Sequence, residues 1–422
     1  MNKSKDFDYI IIGAGILSSI AYKFLIEKGM SVKVVNLSGL PSLANKENNN
    51  FTFEKETLSY GVGGTSTIWA SAFDFFPKNY LPNYLDEKFS QHNITKIKEF
   101  LKGFNIPIEE FEEINNHYSD VFIKDVDIEN ANFVIRNKEL FKFSQVICRE
   151  DILNIEQENF EINTETSEVK DKYKNNTYSY KKIIIAAGGI GNPYFLNKFI
   201  SNNKNIGKNY MNHLKFVPVL FETKKYEKIK KVTGISTSSN FEIFPTYPIK
   251  DSKTGLTHSF RIYTSLRKDI KKGSLISEIF DKVGRKLGYS KFFKALIYTD
   301  MKPHVNFLEF NDKEVILDTS KDETIYEINA TIDRIYKLIN NNKAIKHTVL
   351  KKNFSFSEGS HHMGTTSIGE SSESSVVDTN LNLYGFKNIK VIGTSILPKA
   401  GSGHPTLSSI ILALVSIEQE LQ

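Results

Sequence analysis

The chain has 422 residues, 40% of them hydrophobic, which is enough for two domains, or one large domain with an insertion, around a proper core. Its 55 basic and 49 acidic residues leave a net charge of only +6, and the lysines are scattered rather than blocked, so nucleic acid is not an expected partner. The single cysteine, Cys148, excludes an intramolecular disulfide and a cysteine-cluster metal site, and reads as a small core residue.

The N-terminal MNKSKDFDYIIIGAG sets two lysines ahead of an apolar run, but Asp6 and Asp8 interrupt it and glycines end it, unlike a signal peptide. No stretch approaches the roughly 18 apolar residues of a membrane span, and a cytoplasmic location is the default expectation. Residues 1–36 instead predict strand, glycine turn, helix, strand. Gly13 and Gly15 of GAGILSS stand where the strand hands over to the helix that opens with Ile16 and Leu17, the place where backbone can approach a pyrophosphate. Two positions depart from the dinucleotide fingerprint: Ser18 replaces the third glycine, and Asn36 ends the second strand where an acidic residue usually receives the ribose hydroxyls.

Residues 71–140 mix Asn, Phe and charge and give little pattern. KKIIIAAGG at 181–189 predicts a buried strand, followed by NPYFLNKFI with Pro193 suited to the first turn of a helix. Between about 216 and 320, FVPVLFET, THSFRIYTSL and HVNFLEFND alternate as antiparallel strands do. Within this stretch, DKVGRKLGYSKFFKALIYTD interleaves basic and aromatic residues in a predicted helix. Such a helix could touch a membrane surface or a lipid-linked substrate, but its ordinary reading is packed aromatics and solvated lysines, so membrane contact is not expected. In TIYEINATIDRIYKLI, Ile325, Ile328, Ile332, Ile335 and Ile339 recur at helical spacing and predict one buried face. A third buried strand, NIKVIGTS at 388–395, leads through a glycine and proline turn into HPTLSSIILAL, with Pro405 in a favourable first helical position. Short apolar strands so far apart predict a single parallel sheet assembled from distant pieces, an α/β fold.

Five segments stand in a telling order: DYIIIGAG, GVGGTSTIW, IIIAAGGIGNPYFL, IGKNYMNH, and HHMGTTSIG followed by VVDTNLNLYGFKNIKVIGTSILPKAGSGHPTLSS. Together they resemble the glucose-methanol-choline (GMC) oxidoreductases, FAD-dependent enzymes acting on alcohols, and suit a short bacterial-type member. The resemblance covers roughly 8–70, 181–215 and 355–422. It implies an FAD-binding, Rossmann-like β-α-β domain built from 1–70, 141–215 and 355–422, and a substrate domain of antiparallel sheet and helices from 71–140 and 216–354. By the same resemblance, Gly13, Gly15, Ile16 and Leu17 hold the FAD pyrophosphate, and Asn36 faces the adenosine ribose. Gly63, Gly64, Thr65, Ser66 and Thr67 form the loop along the flavin, with Trp69 close to it. Ile68 stands where some relatives carry a histidine bonded to the flavin, so FAD is expected to be noncovalent. Ala187, Gly188 and Gly189 approach the adenine half, with Ile152 as a further adenine contact. Gly393 replaces a frequent Asp beside Thr394, and the free amides behind Pro405, from Thr406 on, point at the ring.

The histidine of the H-x-x-G-T stretch is His361, and the one ahead of the final helix is His404. The resemblance implies that both face the flavin. Alcohol oxidation moves a hydride to the flavin N5 while the hydroxyl proton leaves to a base, and a neutral imidazole is such a base near working pH. His361 is read as base and His404 as the partner that orients the oxygen, with the roles open to exchange. A shift of frame by one residue would make His362 the base. His213 is read as structural, and His92, His117, His258, His304 and His347 as surface or insert residues. No histidine pair has metal-ligand spacing apart from the adjacent 361 and 362, and no metal is expected. A sugar or polyol is the expected substrate, with oxygen, a quinone or a protein as electron acceptor. Two other readings stay open: a flavoprotein of another class, and a family member with reduced catalysis acting as a sugar-binding or scaffold protein.

Overall fold

A computed structural model of the chain describes residues 5–39, 42–46, 59, 61–67, 72–74, 81–106, 132–137, 141–229, 232, 235–236, 241–250, 256–311, 314–319, 328–351, 356–401 and 403–422. The strand Lys5–Ile12 lies at the centre of a seven-stranded sheet. It pairs in parallel with Val32–Ser38 on one side and Asn176–Ile185 on the other, and Val32–Ser38 pairs in parallel with Ile152–Glu156. The late strand Ile389–Val391 adds in parallel to the end of Asn176–Ile185, Ile389 opposite Ile183 and Val391 opposite Ile185. Ile10, Ile11, Val34, Val35, Ile183, Ile184, Ile185 and Val391 are all fully buried. Burial on both faces is why these strands read as unbroken apolar runs rather than alternating ones. Two short antiparallel strands, Phe160–Asn163 and Glu168–Asp171, extend the same sheet.

The helix Ile16–Glu27 follows the glycine turn and packs against the final helix, Thr406–Leu421, whose apolar face is buried. Ser18 is fully buried, and its hydroxyl donates to the Ala186 carbonyl at 3.1 Å. Serine at this fingerprint position therefore keeps the helix close to the sheet and adds a bond that glycine could not make. The helix that begins at Gly188 runs to Phe199, so Pro193 sits inside it rather than in its first turn. Pro193 has no N–H for the carbonyl of Gly189, and the Thr365 hydroxyl supplies the missing donor at 2.5 Å.

A nine-stranded second sheet is antiparallel throughout. Its centre is His213–Lys228, Tyr289–Asp300, Thr257–Thr264 and Phe241–Lys250, edged by Ile345–Leu350 on one side and by Asn132–Asn137 and then Ala72–Phe73 on the other. The helix Asn329–Asn340 covers one face, burying Ile332, Ile335 and Ile339 with Ile328 just before it, while Ile325 lies outside the described residues. Three expectations need correction. Only the first part of the basic and aromatic stretch is helical, in Leu275–Lys286, because Phe292 and Phe293 are needed in the core and the chain turns into the strand Tyr289–Asp300. HVNFLEFND does form an antiparallel strand, Phe307–Phe310 against Glu314–Asp318, in a separate three-stranded sheet completed by Ser42–Asn45. His258, expected at the surface, is buried in the second sheet, while Cys148, expected in the core, is exposed. Among the described residues no helix is long and apolar enough to cross a membrane.

Candidate active site

The ends of the parallel strands and the edge of the second sheet enclose a cavity of about 440 Å³. Its floor is backbone. Gly13 has φ +104°, and a Cβ there would stand 2.6 Å from the Ala186 carbonyl oxygen, so only glycine lets the turn close over the neighbouring strand. The loop at 59–67 lies against this turn: the Gly63 amide donates to the Ala14 carbonyl at 2.7 Å, and a Cβ on Gly64 would stand 3.0 Å from the Gly15 Cα. The helix beginning at Ile16 has no side-chain cap and no acidic residue in its first turn, and the same is true of Thr406–Leu421. Two helix N-termini thus bring unclaimed amides and partial positive charge to one cavity.

Asn192 joins the third wall to the rest. It is fully buried, accepts from the Ala187 amide at 2.6 Å, and donates to the Ile392 carbonyl and the Ser395 hydroxyl, both at 2.8 Å. That network places the start of helix Gly188–Phe199 beside Gly393 and Thr394, all facing the cavity.

At the far end three imidazoles adjoin. The rings of His361 and His404 have centroids 5.0 Å apart, and those of His213 and His361 4.9 Å apart. The side-chain carbonyl of Asn212 accepts from the backbone N–H of both His213, at 2.8 Å, and His361, at 2.9 Å, and so ties a strand of the second sheet to the H-x-x-G-T loop. His213 Nε2 donates to the Gly401 carbonyl, and Asp300 Oδ1 lies 3.1 Å from the same nitrogen, both residues being almost wholly buried. His213 Nδ1 lies 2.6 Å from His361 Nδ1. With its proton on Nε2, His213 offers Nδ1 as an acceptor. His361 then carries its proton on Nδ1 and keeps a lone pair on Nε2.

His404 is set the opposite way. Arg261 Nη2 donates to His404 Nδ1 at 3.3 Å, so that nitrogen accepts and the ring's proton resides on Nε2. Arg261 is itself nearly buried, held by a bond from Nε to the Thr246 hydroxyl at 3.0 Å and by stacking 4.9 Å over the Tyr298 ring. Burial, reinforced by His213, His404 and Arg261, holds the His361 pKa well below the usual imidazole value, and burial with Arg261 and His213 does the same for His404. Both rings are neutral at neutral pH. His362 also borders the cavity, but its Nδ1 is engaged by the Tyr210 hydroxyl at 2.9 Å, which in turn accepts from Asn212 at 3.0 Å.

Comparison with known proteins agrees with this architecture. Residues 317–413 match the family model described as GMC oxidoreductase. A crystal structure of formate oxidase superposes with a TM-score of 0.59 at 11% identity, over 100% of this chain and 99% of the other. Pyridoxine 4-oxidase from Mesorbium loti gives 0.58 at 13% identity over 99% of both chains. A mutated formate oxidase from Aspergillus oryzae, solved to follow FAD modification, gives 0.56 at 11% identity, over 100% and 99%. The C-terminal region thus resembles GMC oxidoreductases, and the fold is shared with these oxidases. No curated protein sequence matches it.

In this fold, most of the residues singled out in the sequence meet at the one cavity: Gly13, Gly15, Ile16, Leu17, Asn36, Gly64, Thr65, Ala187, Gly188, His361, Gly393, Thr394, His404, Pro405 and Thr406 border it. Gly63 and Ile152 do not. Gly63 is buried beneath the loop it turns, and Ile152 pairs with Val34 one strand further out. Ser66 belongs to the short 3-10 turn Gly64–Thr67; Trp69 and Ile68 lie outside the described residues. Asn36 borders the cavity while donating to Asn154 at 2.8 Å. The sequence reading missed Arg261, Tyr298, Lys215 and Ser360. The first three come from strands of the second sheet, where alternation shows which side chains share a face but not what that face meets. His213, read as structural, touches His361 directly.

Proposed function

We propose that the chain is an FAD-dependent oxidoreductase that oxidises a CH–OH group, with His361 as the proton acceptor and His404 as the hydrogen-bond donor that holds the substrate oxygen. The reading rests above all on the opposite tautomers that Arg261 and His213 impose on two adjoining rings. An alcohol needs one group to take its proton and another to hold its oxygen as negative charge develops. His361 Nε2 provides a lone pair and His404 Nε2 an N–H.

The residues present fit FAD. The side-chain-free cradle of Gly13, Gly15 and Gly64, and the uncapped helix start at Ile16, suit a pyrophosphate. Asn36 would receive the adenosine ribose, with Ala187 and Gly188 toward the adenine. Thr65, Ser66, Trp69, Gly393 and Thr394 would flank the isoalloxazine, and the free amides behind Pro405, from Thr406 on, would face its most electron-rich edge. Nothing in the chain's chemistry demands a covalent link, and noncovalent binding is the reading. Bound there, FAD supplies the two-electron acceptor for the hydride.

The chain's own residues do the rest. His404 Nε2–H positions the hydroxyl oxygen, and Arg261 behind it fixes the ring and favours developing negative charge. His361 Nε2 takes the proton. The positive charge that results is shared toward His213, whose Nε2–H faces the Asp300 carboxylate and the Gly401 carbonyl. In this reading segments 1–70, 141–215 and 355–422 hold the cofactor, while 71–140 and 216–354 close over the substrate. Tyr298, Ser360 and Lys215 give that side a polar lining suited to a sugar or polyol.

The test is direct. Purified protein should be yellow and release FAD on denaturation. Mixed anaerobically with a panel of hexoses, polyols, simple primary alcohols, pyridoxine and formate, it should be bleached by at least one alcohol, and far more slowly as His361→Ala or His404→Ala. Colourless protein that cannot be reconstituted refutes the cofactor; wild-type bleaching rates in both variants refute the histidine roles. Re-oxidation by oxygen, a soluble quinone or a protein acceptor is measured on the same reduced sample.

A further inference from the structure

Seven of the eleven exposed large hydrophobic side chains among the described residues fall between 275 and 289. Six of them, Leu275, Ile276, Ile279, Phe280, Val283 and Leu287, follow one side of the helix Leu275–Lys286 and its end, with exposures from 48% to 76%. The opposite side of the helix faces the protein, and it is polar and small. Asp281 accepts from Arg267 Nε at 2.6 Å and from the Tyr226 hydroxyl at 2.8 Å. A Cβ on Gly284 would stand 3.1 Å from the Tyr226 ring, so glycine lets the helix lie close there. The amphipathicity is thus the reverse of that of a helix covering its own core. Ion pairing anchors the helix while its apolar side faces outward.

We propose that this helix docks on an anionic lipid surface. Lys282 and Lys286 on the helix, and Lys268 and Lys272 in the segment leading into it, are exposed, against exposed Asp269 and Glu278. A basic rim around an apolar strip complements a negatively charged bilayer surface, into which the leucine, isoleucine and phenylalanine side chains would sink while the lysines remain at headgroup level. A second copy is disfavoured as occupant because pairing two such faces would set basic rim against basic rim. A helix held in place by part-buried polar contacts needs no rearrangement to lie on a plane.

The full chain as purified is sedimented with phosphatidylcholine vesicles containing roughly a third phosphatidylserine, and with pure phosphatidylcholine vesicles, at low and high salt. Expected is binding to the anionic vesicles that weakens with salt, falls by about tenfold or more in Ile276→Glu/Phe280→Glu, and falls also in Lys282→Glu/Lys286→Glu, with unchanged thermal unfolding in both variants. Failure to bind anionic vesicles at low salt overturns the proposal, as does binding that the Ile276→Glu/Phe280→Glu change leaves intact. A dimer in ultracentrifugation that this change abolishes, without vesicle binding, assigns the face to a second copy instead.

Discussion

Replacing His213 tests the tautomer assignment at its source. In His213→Ala the Nδ1–H of His361 loses an acceptor 2.6 Å away in a site closed to water on that side, and the Asp300 carboxylate loses its imidazole neighbour. Removing one partner of a buried hydrogen bond costs about 1–3 kcal/mol. If that cost is felt as loss of the reactive tautomer and orientation of His361, flavin reduction slows roughly 5- to 150-fold. His213→Asn should recover much of the loss, because its side-chain oxygen can stand near the position of Nδ1. The assay is anaerobic rapid mixing with whichever alcohol of the panel bleaches the wild type fastest, run as a double-mutant cycle. His361→Ala alone should slow reduction by about 10²- to 10⁴-fold, and adding His213→Ala should cost little more, since His213 acts through the ring already removed. Fully additive losses, or a folded His213→Ala enzyme that reduces as fast as wild type, would refute the relay.

Three further outcomes follow from the same geometry. Because the pKa values of His361 and His404 are pushed down, the unprotonated base persists well into acid, so the rate should be flat through neutral pH and fall only on the acid side; Arg261→Met removes a positive neighbour of both rings, so the acid limb should move to higher pH, and an unmoved limb contradicts the assignment. Gly13→Ala forces a Cβ into contact with Ala186 at a φ of +104°, costing on the order of 1–3 kcal/mol in backbone strain alone, and should lower both the melting temperature and the FAD retained per chain. Asn192→Leu leaves the Ala187 amide and the Ile392 carbonyl without their buried partner, and should destabilise the chain by about 3 kcal/mol or more in denaturant unfolding.

What could be read ahead of the structure follows from the range of the forces involved. Strands buried on both faces announce themselves as apolar runs, and Ile10–Ile12, Ile183–Ile185 and Ile389–Val391 were legible for that reason. His361 and His404 were legible because each sits in a local motif. Arg261 and Tyr298 were not, since they reach the site only after Thr257–Thr264 and Tyr289–Asp300 pair and the sheet is set over the cavity. His213 looked structural because its contact with His361 spans 148 residues of chain. Pro193 misplaced a helix start because a side chain, Thr365, supplies the donor that backbone propensity requires. The helix Leu275–Lys286 was hidden in a stretch whose second half becomes core strand, so packed phenylalanines masked exposed ones.

The pairing of Ile389–Val391 with the end of Asn176–Ile185 bears on how the protein is made. During synthesis the first strand, the glycine turn and the middle strand emerge early, yet the edge beside Ile183 and Ile185 stays open until the late strand and the helix Thr406–Leu421 arrive. Until then an apolar, unpaired strand edge is available to other chains, and the helix Ile16–Glu27 lacks the helix it packs against. Arrival of the late strand and closure of the cavity are therefore one event, and ligand binding to the finished cavity would pull that step of folding forward by mass action.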